Sequence, residues 1–148
     1  MMAEIDEHRF SPATLQTFIA KTLSTLGLPD QDAFDCGRLM VASDMAGFHT
    51  HGIFRLPQYV KRIRAGGINK SPTIKTAVEA PSTAVVDGDN GMGHLVVEYA
   101  TKLAIKKAAE SGCAWVGARS SNHAGAASTY VAMAAEENMV AIYGTNGS

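Results

Sequence analysis

Residues 83–111 read TAVVDGDNGMGHLVVEYATKLAIKKAAES and decide the fold of the second half of the chain. The β-branched run 83–87 is typical of a short strand, and apolar residues recur every four positions across 94–110, which predicts a long amphipathic helix. The glycine-rich turn 88–93 joins the strand to the helix, as the glycine-rich turn of a Rossmann fold does. In the Rossmann pattern Gly-x-Gly-x-x-Gly/Ala, however, the last position must be small, and here it is Val96. The stretch therefore predicts a strand–turn–helix unit that is not a Rossmann dinucleotide fold.

Further strands and helices are predicted around this unit. Residues 73–78, 113–118 and 140–144 have the composition of strands, and the alanine-rich stretch 125–138 that of a helix. The later strands are continuous apolar runs, which favours a sheet buried on both faces, with Trp115 in the core. The chain stops directly after the last predicted strand, so we expect an incomplete domain.

The first 70 residues favour a small helical unit. Ser11 followed by Pro12 is a typical helix start, and Asp30 is suited to cap a second helix. A third helix is expected to begin near Pro57 and to end at the glycine pair 66–67. The fold class is therefore α/β: a helical unit over residues 1–70, followed by the N-terminal, truncated part of a mixed β/α domain over residues 71–148.

Composition narrows the function classes. The 148 residues are 46% hydrophobic and 18% charged, with a net charge of −1, which predicts a globular protein with no nucleic-acid partner. The two cysteines, Cys36 and Cys113, favour a reduced protein over a disulfide framework. The N-terminus lacks the apolar core of a signal peptide, and no apolar run is long enough to cross a membrane. We therefore predict a cytoplasmic protein.

The turn 43–55, SDMAGFHTHGIFR, carries the first group of candidate functional residues. Histidine exchanges protons near neutral pH, and arginine offers a planar fork that matches a carboxylate, so His51 and Arg55 fit a site that acts on a hydroxy acid. One alternative is a solvated loop whose histidines cap helix ends. A metal site built on His49 and His51 lacks a third ligand at suitable spacing, so we predict no metal.

The turn 120–125, SSNHAG, carries the second group. It follows a predicted parallel strand and precedes a helix, which is where ligands bind in open α/β sheets. Asn122 and His123 are therefore candidate site residues. The alternative is a turn in which Asn122 caps the helix and His123 faces solvent.

Taken together and in this order, these stretches resemble the type 2 malate/L-lactate dehydrogenase family. The similarity covers nearly the whole chain. Each matching stretch is weak evidence for the family by itself, but the combination is specific. The stretches are Ser43-Asp44 with Gly47, His51-Gly52 and Arg55; Tyr59 to Gly67; Val86 to Gly91; Ser121-Asn122-His123 with Gly125; and Thr145-Asn146. The resemblance implies an NAD(P)-binding fold unrelated to the Rossmann domain, and a homodimer with active sites near the subunit interface.

The resemblance also implies residue roles. His51 and Arg55 would lie in the substrate site, with Arg55 binding the carboxylate. His123 or His51 would be the general acid/base as hydride passes between a small 2-hydroxy acid, such as malate or L-lactate, and NAD or NADP. Thr145 would contact substrate near the nicotinamide.

Asn146 and Gly147 would approach the nicotinamide end of the cofactor, and Asn122 would polarise the forming carbonyl. A cyclic imino-acid reductase of the same family is the alternative enzyme, since its substrate also carries a carboxylate. The alternative from another class is a non-catalytic fragment, stable only with a partner, and for the 148 residues alone we expect no activity.

Overall fold

A computed structural model describes residues 9–146 of the chain. This part of the chain contains five α-helices and a three-stranded sheet, which confirms the predicted α/β class. In chain order the elements are α1 (Pro12–Thr25), α2 (Asp30–Met45), α3 (Leu56–Arg64), β1 (Lys75–Glu79), β2 (Thr83–Gly91), α4 (Gly93–Ser111), β3 (Trp115–Ser121) and α5 (Ala127–Glu136). Two short 3-10 turns, His49–His51 and Ile53–Arg55, connect α2 to α3.

The helical unit forms largely as its sequence predicts. The Ser11 hydroxyl accepts a hydrogen bond from the backbone N–H of Thr14, and Pro12 is the first residue of α1. Asp30 was expected to cap α2, but it is the first residue of that helix and Pro29 holds the cap position. A carboxylate in the first helical turn still faces the positive end of the helix dipole, so Asp30 stabilises the same helix start.

The sheet has the order β1-β2-β3, with β1 antiparallel to β2 and β2 parallel to β3. Helix α4 makes the crossover between the two parallel strands and packs on one face of the sheet. Val86 of β2 is buried there against Val96 and Ala100 of α4. Within residues 9–146 the sheet is covered on this face only, because most of β3 is exposed, so the expectation of a sheet buried on both faces is wrong for this part.

Two apolar segments expected to be buried are exposed instead. Residues 140–144 form no strand; Val140 is 98% and Ile142 89% exposed. An apolar run forms a strand only where a neighbour pairs with its backbone, and no strand among residues 9–146 does so. Trp115 was expected in the core but is 72% exposed.

No helix within residues 9–146 is long and apolar enough to span a membrane.

The helices and the β/α part share contacts. Met92, which precedes α4, belongs to the apolar core of the helical unit. Oε1 of Glu98 in α4 forms two ion pairs: it lies 2.7 Å from Nη2 of Arg38 in α2 and 2.7 Å from Nζ of Lys102 in its own helix. Because the Glu98 carboxylate is nearly buried, removing either cation would leave its charge only partly compensated. The two predicted units therefore pack against each other across the boundary near residue 70.

The start of α4 lies unusually close to the loop that follows β3. A methyl group at Gly93 would lie 2.0 Å from the carbonyl oxygen of Asn122 and 2.5 Å from that of His123. Only glycine leaves room for this approach. The first residue of α4 thus sets the position of residues 122 and 123.

His94, the next residue, is fully buried at this junction. Its ring lies edge-on to Tyr59 of α3, with centroids 5.3 Å apart. Neither ring nitrogen has a hydrogen-bond partner among the described residues. Burial, with a smaller contribution from His123, lowers the pKa of His94 from 6.5 to about 3, so the ring is neutral at physiological pH.

We expect Gly93→Ala to destabilise the protein by about 1–3 kcal/mol, because the new methyl group would overlap the backbone carbonyl oxygens of Asn122 and His123. Gly117→Ala in β3 is the matched control, since a methyl group there would meet no atom within 4 Å. Urea unfolding followed by circular dichroism measures both. Equal stability of the two variants would contradict the close approach at Gly93.

We also expect His94 to make the protein acid-sensitive. Its pKa is lower when folded than when unfolded, so between pH 6.5 and about 3 the unfolded chain binds a proton that the folded chain does not. The free energy of unfolding should therefore fall with decreasing pH by up to about 1.4 kcal/mol per unit across that window. In His94→Leu this contribution disappears. Urea unfolding at a series of pH values would show the same slope in both proteins if the assignment were wrong.

Candidate active site

The loop between α2 and α3 is held by the carboxylate of Asp44. Its Oδ2 accepts a hydrogen bond from the backbone N–H of Ile53 at 2.8 Å, and its Oδ1 lies 3.6 Å from Nδ1 of His49. A methyl group at Gly52 would lie 2.1 Å from the Asp44 carboxyl carbon. The glycine therefore lets the loop fold over Asp44, and the carboxylate fixes the segment that carries His51 and Arg55.

Arg55 is oriented by two contacts of its own. Nε donates to the carbonyl oxygen of Thr50 at 2.8 Å, and Nη1 donates to Oε1 of Gln58 at 2.9 Å. Nη2 takes part in neither bond. These two hydrogen bonds orient the guanidinium.

The second loop is fastened through Asn122. Its amide Nδ2 donates to the carbonyl oxygens of Asn90 and Gly91 at 3.0 and 2.9 Å, which ties the loop after β3 to the end of β2. Its Oδ1 is buried without a partner among the described residues. Asn122 therefore positions the loop that carries His123, while its expected contact with a substrate carbonyl stays a prediction.

The two loops bring together histidines that lie 72 positions apart in the sequence. The rings of His51 and His123 stack with centroids 5.7 Å apart. Tyr59 of α3 reaches the same place, and its hydroxyl oxygen lies 2.7 Å from Nδ1 of His123. The backbone N–H of Gly125 also donates to this nitrogen, at 3.3 Å. We call His51, Arg55, Tyr59 and His123 the histidine–arginine cluster.

Burial and positive neighbours set the protonation of this cluster. The pKa of His123 is lowered by burial first, then by the charge of Arg55 and by His51. Burial holds the pKa of the Tyr59 hydroxyl above its ordinary range. At neutral pH the His123 ring is therefore unprotonated and the Tyr59 phenol keeps its proton. The arrangement can accept a proton, donate hydrogen bonds and bind an anion.

The segment with Thr145 and Asn146 is linked to the loop of His123. Tyr143 stacks on Tyr130 at a centroid distance of 5.9 Å, and the Tyr130 hydroxyl donates to the carbonyl oxygen of Ala124. Thr145 and Asn146, which follow Tyr143 closely in the sequence, are both exposed. Gly147, the other expected cofactor contact, lies outside the described residues.

The structure adds two residues that sequence reasoning placed only in the core or in a helix. Tyr59 lies four positions after Arg55, about one helical turn, and that spacing was a usable signal for a shared face. His94 had no such signal, since only the packing of α3 against the start of α4 shows its burial.

No group of three or more His, Cys, Asp or Glu side chains within residues 9–146 could hold a metal ion.

Comparison with known proteins gives consistent matches along the chain. Malate dehydrogenase of Pyrococcus horikoshii is 44% identical over 144 residues, which cover 96% of this chain and 40% of that protein. L-sulfolactate dehydrogenase of Methanocaldococcus jannaschii is 41% identical over 91% of this chain and 39% of its own length. Ureidoglycolate dehydrogenase (NAD(+)) of Escherichia coli K12 is 32% identical, with 90% and 38% covered.

The fold matches as well. The solved structure of malate dehydrogenase from Pyrococcus horikoshii OT3 superposes with a TM-score of 0.85 at 43% identity, covering 92% of this chain and 40% of that one. The chain thus spans about two fifths of the length of the relatives it matches. A sequence model of the family described as malate/L-lactate dehydrogenase matches residues 10–148, and the chain therefore belongs to the malate/L-lactate dehydrogenase family.

Proposed function

We propose that the protein is an NAD- or NADP-dependent oxidoreductase that oxidises a small 2-hydroxy acid such as malate or L-lactate to the 2-oxo acid. The observation that carries this proposal is the convergence of His51, His123 and Arg55 from two distant loops. The names of the relatives support the substrate class, because malate, sulfolactate and ureidoglycolate are all 2-hydroxy acids. We thus propose a small carboxylate as the ligand of the site. That the protein forms a homodimer stays a prediction.

Arg55 is the proposed binding group for the substrate carboxylate. Its contacts with Thr50 and Gln58 leave Nη2 out of both bonds, and a guanidinium bound through two neighbours loses little freedom when a carboxylate arrives. The hydroxyl of the bound acid is carried by C2, the carbon bonded directly to the carboxylate carbon. A carboxylate on Arg55 would therefore hold that hydroxyl close to the histidine rings.

The two histidines are the proposed groups for proton exchange. Oxidation of the alcohol requires a base to take the hydroxyl proton as hydride leaves C2. The lowered pKa of His123 keeps this ring unprotonated at neutral pH. Reduction of the 2-oxo acid reverses the transfer and needs the protonated form of the same base.

The residues present fit one end of a nicotinamide cofactor. Thr145 and Asn146 offer an exposed hydroxyl and an exposed amide on a segment that Tyr143 fastens near Ala124, the neighbour of His123. These two residues would hold the nicotinamide end. The bound cofactor supplies the hydride acceptor, while the chain's own residues bind the acid, orient it and move the proton.

The experiment that tests this proposal measures reduced cofactor at 340 nm. The full-length protein is mixed with NAD⁺ or NADP⁺ and with malate, L-lactate or sulfolactate, and we expect turnover of at least one acid. His51→Ala or His123→Ala should lower kcat by about 10²–10⁴-fold where the removed ring exchanges the proton. If both variants stayed within a few-fold of the wild type, the histidines would not be the proton-exchange groups.

A second prediction isolates the geometry of Arg55 from its charge. Arg55→Lys keeps the positive charge but loses the planar fork, so KM for the 2-hydroxy acid should rise about 10- to 100-fold while kcat changes less. Arg64→Lys near the end of α3 is the control and should leave KM unchanged. Steady-state kinetics on both variants decide the matter, and an unaltered KM in Arg55→Lys would exclude a fork-like contact.

A further inference from the structure

The hydroxyl of Tyr59 is directed at one nitrogen of His123. The side chain is only 3% exposed, and its oxygen lies 2.7 Å from Nδ1. Since burial raises the pKa of this phenol, it carries its proton at neutral pH. A protonated phenol at this distance donates to a ring nitrogen that has a free lone pair.

A second donor reaches the same nitrogen. The backbone N–H of Gly125 lies 3.3 Å from Nδ1 of His123, and a backbone N–H can only donate. Nδ1 must then present its lone pair. In a neutral imidazole the proton is consequently on the other nitrogen, Nε2.

We propose that Tyr59 is a positioning residue which, together with the Gly125 N–H, holds His123 as its Nε2–H tautomer, so that His123 donates a hydrogen bond to the substrate oxygen and His51 exchanges the proton. This inference rests on the proposed dehydrogenase function and assigns separate roles to its two histidines.

The surroundings of His51 suit the proton-exchange role. Its Nδ1 lies 2.9 Å from the hydroxyl oxygen of Thr50, and a hydroxyl rotates to donate or to accept. His51 can therefore hold its proton on Nδ1, take up a second one at Nε2, and keep its hydrogen bond throughout. His123 lacks this freedom, because the Gly125 N–H cannot reverse its direction.

The electrostatic environment favours a neutral His123. Within the described part of the chain, four titratable or charged groups face it: His51, Arg55 and Tyr59 from the helical unit, and buried His94 from α4. A cationic ring at His123 would stand beside the Arg55 guanidinium in a partly desolvated place. A neutral N–H donor avoids this cost and still stabilises negative charge on the substrate oxygen.

The proton and electron balance of the step is complete. The O–H bond of the 2-hydroxy acid breaks and its proton passes to Nε2 of His51. The C2–H bond breaks, its electron pair leaves as hydride to the oxidised nicotinamide, and the C2–O bond becomes a carbonyl. The Nε2–H of His123 donates to that oxygen throughout and does not lose its proton.

The tautomer is tested by imidazole nitrogen-15 NMR on the full-length protein without substrate. We expect His123 to show an unprotonated Nδ1 and a protonated Nε2 above pH 7, and Tyr59→Phe to give a mixture of the two tautomers. Tyr99→Phe is the control: it removes a hydroxyl that contacts Thr76 on another face of the protein and should leave the His123 signals unchanged. A wild-type His123 protonated on Nδ1, or a Tyr59→Phe spectrum identical to wild type, would overturn the proposal.

Kinetics of glutamine variants test the division of roles. Glutamine keeps an N–H donor but cannot exchange a proton, so His123→Gln should retain at least about 10-fold more turnover than His51→Gln. The reverse order would overturn the assigned roles. If the wild type turned over no 2-hydroxy acid, the proposed function would fail, whereas the NMR measurement would still decide whether Tyr59 sets the His123 tautomer.

Discussion

The close approach of residues 122 and 123 to the first turn of α4 is the constraint on which the site depends. It requires glycine at position 93, because any side chain would overlap the carbonyl oxygens of Asn122 and His123. Asn122 then fastens the loop by donating to Asn90 and Gly91. His123 consequently lies against α3, where its Nδ1 is within hydrogen-bond distance of the Tyr59 hydroxyl. The helical unit and the sheet therefore contribute residues to one site.

Charge within the site is limited by burial. His94 is fully desolvated and stays neutral, and His123 is kept neutral by partial burial and by Arg55. Arg55 is thus the residue of the cluster whose guanidinium stays charged regardless of its surroundings. An anion would be drawn to that charge, while the uncharged ring of His123 beside it stays able to accept a proton or donate a hydrogen bond.

Much of the fold could be predicted from local patterns. The Ser11 cap and the long amphipathic helix α4 depend on residues close in sequence, and the structure confirms both. The expected turn over residues 88–93 is shorter than predicted, because β2 continues to Gly91. Residues 140–144 and Trp115 could not be predicted, since an apolar residue forms a strand or enters a core only if another segment lies against it. The environment of these residues is a property of neighbours far along the chain.

The same distinction holds for the site. By itself the sequence determined which chemistry is available, because His51, Arg55 and His123 stand in loops at the ends of regular elements, where side chains reach a ligand. Only the tertiary structure decided that His51 and His123 stack, that Tyr59 bonds to Nδ1 of His123, and that His94 is desolvated. Distances between segments some 70 residues apart depend on how helices and sheet pack, and no local spacing encodes them.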